Sequence, residues 1–416
     1  MKCLVVLGTR PEIIKLSPVI REMSSRGHQP FVVHTGQHYS SNMDEVIWQN
    51  LALAPPSLRL SDRSHGLASQ TAAIMQELQG YVAEIKPDWM VVHGDTNSTL
   101  AGALVAAKQA GVRIAHVEAG LRSFDRTMPE EVNRVVVDHL ADLLFAPTSI
   151  ATQNLRNEGI QSRRISLVGN TIEDVVQSSI AHARDLAQLQ RAAQVDTSPY
   201  ALLTLHRAEN TASLERLEEI LRAVFDSAAG FGLRLLFPVH PRTRQLLESM
   251  SLQIPKHVEI LEPMGYFEFL ALIDGARIIA TDSGGLQEEA CLLGRACVTL
   301  RENTERPETV TLGCNILAGV KGPGIMHAFA EMMTARGPWK SPYGGGLASK
   351  RIVDTLEEMT RVKQEPERTE DLSIGQVQKI DRVTKIDVTD VDSTVFRIQA
   401  DATAAFEQSR IRRIEG

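Results

Sequence analysis

Short apolar runs that end in a glycine or a carboxylate recur along this chain, and they restrict it to an α/β plan. The apolar runs Trp89-Met90-Val91-Val92-His93-Gly94-Asp95 and Arg113-Ile114-Ala115-His116-Val117-Glu118 carry buried strands at Met90–His93 and Ile114–Val117. Further strands fall at Cys3–Leu7, Pro30–His34 and Leu143–Ala146, with helices at Ile13–Arg26, Ser69–Ile85 and Leu100–Gly111 between them. Strand-to-helix alternation of this kind predicts a mainly parallel sheet covered by helices. It restarts near Tyr200–Leu205, continues through Leu233–Pro238 and reaches Ile278–Ala280. Two doubly wound halves follow, joined near Gly169–Asn170, with a ligand cleft between them.

The 416 residues are too many for one ordinary core, which agrees with two domains. With 43% hydrophobic and 23% charged residues, the composition is that of a soluble globular protein. No apolar stretch approaches the roughly 20 residues needed to cross a bilayer, and the first apolar run is too short for a signal peptide. Cys3, Cys291, Cys297 and Cys314 show no metal-ligand spacing, so a reduced, cytoplasmic protein without a bound metal is expected. A formal charge of −7 without a long basic run argues against nucleic-acid binding. An anionic ligand must then be held by a few focused basic groups and by backbone amides. Residues 364–416 depart from the plan. A polar, Pro-broken linker leads into Val383–Ile398, where β-branched residues partly alternate. A small hairpin, an interface arm and a disordered tail fit that composition equally.

Carboxylates at strand ends are costly to bury without a partner, so Asp95, Glu118 and the helix-opening Glu130 ask for a chemical reason, and proton transfer is the obvious one. Several loops suit anions. Gly8-Thr9-Arg10-Pro11-Glu12 turns from the first strand into a helix whose N-terminus attracts negative charge, with Arg10 able to fork onto a phosphate. An ordinary β–α turn with a surface arginine fits the same residues. Asp282-Ser283-Gly284-Gly285 opens a later helix with a cluster of backbone N–H groups, which suits a diphosphate. A following Glu could reach a ribose diol, or Glu288-Glu289 could simply match the helix dipole. His206 and His240 follow strands and read as phosphate-contact and structural respectively; Arg306 is a further anion contact. G-x-G-x-x-G, Walker, H-E-x-x-H and G-x-S-x-G patterns are all missing from the sequence, so dinucleotide, P-loop, zinc-hydrolase and serine chemistries lack support.

Taken together, these segments resemble the UDP-N-acetylglucosamine 2-epimerases of the non-hydrolysing type. The resemblance rests on Gly8–Glu12, Thr35-Gly36-Gln37-His38, Gly94-Asp95-Thr96, His116–Arg122, Pro129-Glu130-Glu131 and Asn133-Arg134. It continues through Gly169-Asn170-Thr171, His206-Arg207, Glu209-Asn210, Asp282–Glu289 and Thr304–Glu308, collinear to about Thr360. It implies a GT-B-like fold of two Rossmann-like domains. Residues 1–169 would form the first, rejoined by a helix at about 349–360; residues 170–348 would form the UDP-binding second. It also implies a homodimer, a UDP-sugar substrate and no cofactor.

The implied reaction removes the C2 proton, expels UDP to leave a 2-acetamidoglucal, and adds UDP back with protonation on the opposite face. By resemblance, Asp95, Glu118 and Glu130 are the acid/base group and His206 acts with them. Burial and mutual repulsion should raise at least one of the three carboxyl pKa values. Arg10, Lys15, Arg134, Arg306 and Ser283-Gly284-Gly285 would hold substrate. Glu289 would take the ribose hydroxyls, and Phe269, with the backbone near Met264, would hold uracil.

Two departures stand out: Asp62–Ser69 lacks the Arg-Gln pair used for substrate activation in many bacterial members, and the tail after Thr360 has no counterpart. Alternatives are an epimerase of another UDP-2-acetamido sugar, a hydrolysing epimerase, and, from another class, an inactive nucleotide-sugar sensor. A GT-B glycosyltransferase is weaker, because nothing marks an acceptor site.

Overall fold

The computed structural model describes residues 1–364 except 38–40, 61–65, 194–197, 240 and 251. The expectations for His38, the Asp62–His65 stretch, His240 and the tail from 365 therefore lie outside the described residues. The N-terminal strands are β1 (Lys2–Leu7), β2 (Gln29–His34), β3 (Leu58–Arg59), β4 (Trp89–His93), β5 (Arg113–Val117), β6 (Leu143–Ala146) and β7 (Ile165–Leu167). They form one parallel sheet in the order β3-β2-β1-β4-β5-β6-β7. Then come β8 (Tyr200–Thr204), β9 (Arg234–Pro238), β10 (Val258–Leu261), β11 (Ile278–Thr281), β12 (Ala296–Thr299) and β13 (Asn315–Leu317). These build a second parallel sheet, β10-β9-β8-β11-β12-β13.

In each sheet the strand order reverses once, between β1 and β4 and between β8 and β11. Chains leaving neighbouring strands on opposite sides of such a point open a crevice at the strand C-termini. Gly8 and Asp95 follow one pair of strands; His206 and Asp282 follow the other. The turn after β1 is tight. A Cβ on Gly8 would lie 2.1 Å from Thr35 Oγ1 and 2.3 Å from Ser98 Oγ, so only glycine fits. The first helix begins at Arg10 rather than Ile13, because Thr9 and Glu12 form a capping box and Pro11 occupies the first turn.

An apolar cluster runs without a break from Val5 and Leu16 through Val175 to Leu270 and Ile279. Ile352, Val353 and Leu356 of the last helix, Ala348–Gln364, join the same cluster. That helix is fastened to the first sheet's side by Arg26 on Asp354 (2.6 Å) and by Trp89 Nε1 donating to Thr360 (2.8 Å). Two chain crossings run side by side where the sheets meet. Asn170 N donates to Tyr343 O at 2.8 Å, and Gly169, at φ 95°, passes so close that a Cβ would meet that oxygen at 2.2 Å.

Candidate active site

Four ionic side chains drawn from both sheets form a buried ring of alternating sign. Glu118 follows β5; Lys15 projects from the helix Arg10–Ser25; Glu288 lies on the helix Gly284–Leu292; Arg306 precedes the helix Pro307–Thr311. Lys15 pairs with Glu118 and, at 2.7 Å, with Glu288. Arg306 pairs with Glu288 through Nε and with Glu118 through Nη2 at 3.2 Å. Asn170, at the chain crossing, donates to Glu288 (2.9 Å) and faces Glu118 (3.4 Å). Glu118 itself adopts φ 67°, a left-handed conformation unusual for a residue with a Cβ and typical of functional sites.

Around this ring the remaining predicted residues fall into two groups. Asp95, a third exposed, is held by Arg134, which also pairs with Glu131 and lies 3.8 Å from Glu305 across the cleft. Glu130 is half-buried on the same helix. Its neighbour Glu131 does the anchoring, accepting from Ser123 N (3.0 Å) and Phe124 N (2.9 Å). Arg10 is half-buried in the first turn of its helix.

On the other wall, Asp282 is fully buried and accepts from the backbone of His206 (3.0 Å) and Arg207 (2.8 Å). It also meets His206 Nδ1 at 3.1 Å, which leaves an imidazole 46% exposed and oriented by its carboxylate. Ser283 caps the next helix, and Gly284 lets the Arg306 guanidinium approach: a Cβ there would lie 3.4 Å from Arg306 Cζ. An arginine and a helix N-terminus thus converge beside Gly285, an arrangement that attracts a phosphate. Glu289 faces the Tyr266 hydroxyl, and half-buried Phe269 lies one turn beyond Tyr266. Loop 301–306 is pinned by fully buried Arg301, which contacts Glu305 (2.9 Å), Glu209 (2.9 Å) and Asn303 (2.9 Å).

The expected rise in the pKa of an acid at the strand ends is not what Glu118 does. Burial pushes its carboxyl up, but Lys15 and Arg306 outweigh that and hold it well below the usual carboxylate range. Lys15 is raised in turn: burial lowers it, and Glu118 and Glu288 more than compensate. Two buried carboxyls near the cleft do rise. Glu289 is pushed up to about 7 by burial, with Glu288 adding to the shift and Tyr266 opposing it. Glu12 is pushed up to about 6 by burial although Thr96, Gly8 and Thr9 all donate to it. Mutual repulsion among Asp95, Glu118 and Glu130 is also not the arrangement found, since Arg134 faces Asp95 and Lys15 faces Glu118.

Several members of the site escaped sequence reasoning. Glu288 was open to a reading as first-turn dipole matching, but the helix starts at Gly284 and its first turn carries no acid. Five residues past the cap Ser283, Glu288 turns inward to Lys15 and Arg306. Asn170 carried a signal in its place at the domain junction. Glu305 and Asp282 carried none beyond their motifs: Asp282 finds its partners in the loop after β8, and Glu305 in Arg301 of its own loop and in Arg134 across the cleft.

Parallel sheets with their switch points opposed, and ionic groups meeting between them, define a GT-B-like enzyme of the nucleotide-sugar type. The family profile of the UDP-N-acetylglucosamine 2-epimerases matches residues 21–357, and the chain belongs to that family. It is 46% identical over 362 residues to the UDP-N-acetylglucosamine 2-epimerase of Methanocaldococcus jannaschii, covering 86% of this chain and 99% of the relative. A crystal structure of the Methanocaldococcus jannaschii UDP-GlcNAc 2-epimerase in complex with UDP-GlcNAc and UDP superposes with a TM-score of 0.82, covering 86% of this chain and 100% of that one. The UDP-2,3-diacetamido-2,3-dideoxy-D-glucuronate 2-epimerase of Pseudomonas aeruginosa is 38% identical, over 86% of this chain and 100% of its own.

Proposed function

We propose that the protein interconverts UDP-GlcNAc and UDP-ManNAc by eliminating UDP to a 2-acetamidoglucal and adding it back. The observation that carries this reading is the ring of Lys15, Glu118, Glu288 and Arg306, which couples an ionised carboxylate on one wall to the diphosphate-type loop on the other. The ring is charge-balanced by itself, two cations against two anions. A diphosphate arriving at Ser283-Gly284-Gly285 competes for Arg306, with Arg10 and His206 as further donors. Glu118 then loses one of the two cations that hold its pKa down, and becomes better able to take up a proton. Substrate binding would thereby set the proton affinity that acid/base chemistry at C2 needs. Asp95 and Glu130 complete the acid/base group, Arg134 and Lys15 hold and orient it, Glu289 takes the ribose, and Phe269 packs on the uracil.

The decisive experiment is proton NMR of the enzyme with UDP-GlcNAc in deuterated water. The expected outcome is UDP-ManNAc carrying deuterium at C2. Free sugar plus UDP would mean hydrolysis instead. A different UDP-2-acetamido sugar is the second reading, favoured by the 38% identity to the diacetamido-glucuronate epimerase; turnover of that sugar alone would establish it. UDP binding without turnover of either would leave a sensor. We also infer a homodimer, supported by the family resemblance, and a cytoplasmic location, supported by four unpaired cysteines. Among the described residues, no helix is long and apolar enough to cross a membrane.

A further inference from the structure

His93 ends β4, is 4% exposed, and has no hydrogen-bond partner on either ring nitrogen among the described residues. On the neighbouring strand β5, His116 is equally buried and fully satisfied, with Nδ1 on Asp138 (2.7 Å) and Nε2 on Gly94 O (2.8 Å). Two histidines one register step apart are thus treated oppositely. A core histidine kept for packing is normally saturated as His116 is, since an unpaired buried N–H is expensive. What His93 does have nearby is Glu118: its Nε2 lies 3.8 Å from Glu118 Oε2, just outside hydrogen-bonding range. The groups facing the ring are Glu118, Lys15, His116 and Asp95. Burial pushes its pKa down to about 4, with Lys15 and His116 adding to the shift against Glu118 and Asp95, so the ring is neutral and can carry its one proton on Nε2.

We propose that His93 is a positioning residue for Glu118, its Nε2–H closing onto Glu118 Oε2 when a bound diphosphate draws Arg306 away. The inference rests on the nucleotide-sugar reading above. Glu118 now has its oxygens divided between Lys15 and Asn170 on one side and Arg306 on the other. Loss of an Arg306 contact leaves room beside Glu118, and His93 faces it with both ring nitrogens unpartnered among the described residues. A neutral donor at that point fixes the direction of the carboxylate without adding the charge that would hold its pKa down.

The test uses the full chain labelled with 15N-histidine and titrated with UDP, the His93 resonance being assigned from the His93→Gln spectrum. Expected is the Nε2–H tautomer in both states, with that proton moving downfield when UDP binds. Other resonances responding while His93 does not would overturn the proposal and spare the reading. No response anywhere would remove UDP binding, and the proposal with it. In turnover, His93→Leu should lose about a hundredfold in kcat with KM within about threefold, and His93→Gln, whose amide nitrogen falls near Nε2, should recover to within about fivefold of the parent. A purely structural role would instead make Leu and Gln equally harmful, or both harmless.

Discussion

Glu118 and Glu289 stand on opposite walls of the cleft, and burial has opposite outcomes for them. Glu118 has Lys15 and Arg306 within reach and stays ionised far below its normal range. Glu289 forms no ion pair among the described residues; burial and the like charge of Glu288 outweigh the Tyr266 hydroxyl and the more distant charge of Lys15, and it rises to about 7. Glu12 is the intermediate case, accepting from hydroxyls and amides with no ion pair among the described residues, and rises to about 6. For Glu12 and Glu289 hydrogen bonds fail to offset desolvation, whereas two cations in contact succeed for Glu118. One wall thus holds a fixed negative charge, and the other a carboxyl that titrates near neutrality.

The largest effect that would sharpen this contrast is expected from Glu118→Gln, which removes the fixed charge and keeps the shape. Initial rates should fall about a thousandfold or more, with UDP affinity by calorimetry unchanged within a few-fold. Near-parental turnover would mean that the ionised wall does no chemistry. Next in size is Lys15→Met. Leaving Glu118 and Glu288 with Arg306 alone should cost about 3–5 kcal/mol in urea unfolding, because an uncompensated charge stays buried. A cost no larger than that of a surface substitution would show that Arg306 suffices.

Smallest, and dependent on pH, is Glu289→Gln. The folded-state pKa of Glu289 lies at about 7, above the ordinary 4.5, so the native state holds a proton that the unfolded chain gives up. That contribution to stability is complete below pH 4.5 and is lost as pH rises through 7. Glu289→Gln should match the parent in acid and exceed it above neutrality, by up to roughly 3 kcal/mol. Glu118 works in the other direction: its contribution is present above the ordinary carboxylate range and is lost as pH falls through its depressed folded value. Thermal melts of both variants across pH would separate the two walls, and parallel curves would erase the distinction.

Most of the fold was legible, because strand and helix signals are local. The central strands were found within one residue at either end, Leu143–Ala146 without any difference. The strands that escaped were the two-residue Leu58–Arg59, the three-residue Ile165–Leu167 and Asn315–Leu317, and the four-residue Val258–Leu261 and Ala296–Thr299; helices such as Thr171–Ala193 and Leu214–Gly230 were not delimited either. Strands of two or three residues carry too few positions for a pattern to register, and Val258–Leu261 and Asn315–Leu317 mix polar residues into the run, unlike the wholly apolar Leu143–Ala146. The helix predicted over Leu100–Gly111 runs from Asn97 to Ala107, since Thr96 caps it by accepting from Thr99 N.

What the sequence by itself determined was the α/β plan, the placement of acids and anion-attracting turns at strand C-termini, and the family. Each follows from short-range pattern or motif. Only the tertiary structure decided which carboxylates are ionised, and that Glu288, Asn170 and His93 surround Glu118. Lys15 reaches Glu118 across 103 residues of chain and Arg306 reaches it across 188. A pKa depends on every charge within a few ångströms, and here those charges arrive from two helices and a loop far apart in the chain. Chain spacing says where a carboxylate is; only the packing of the two halves says what faces it.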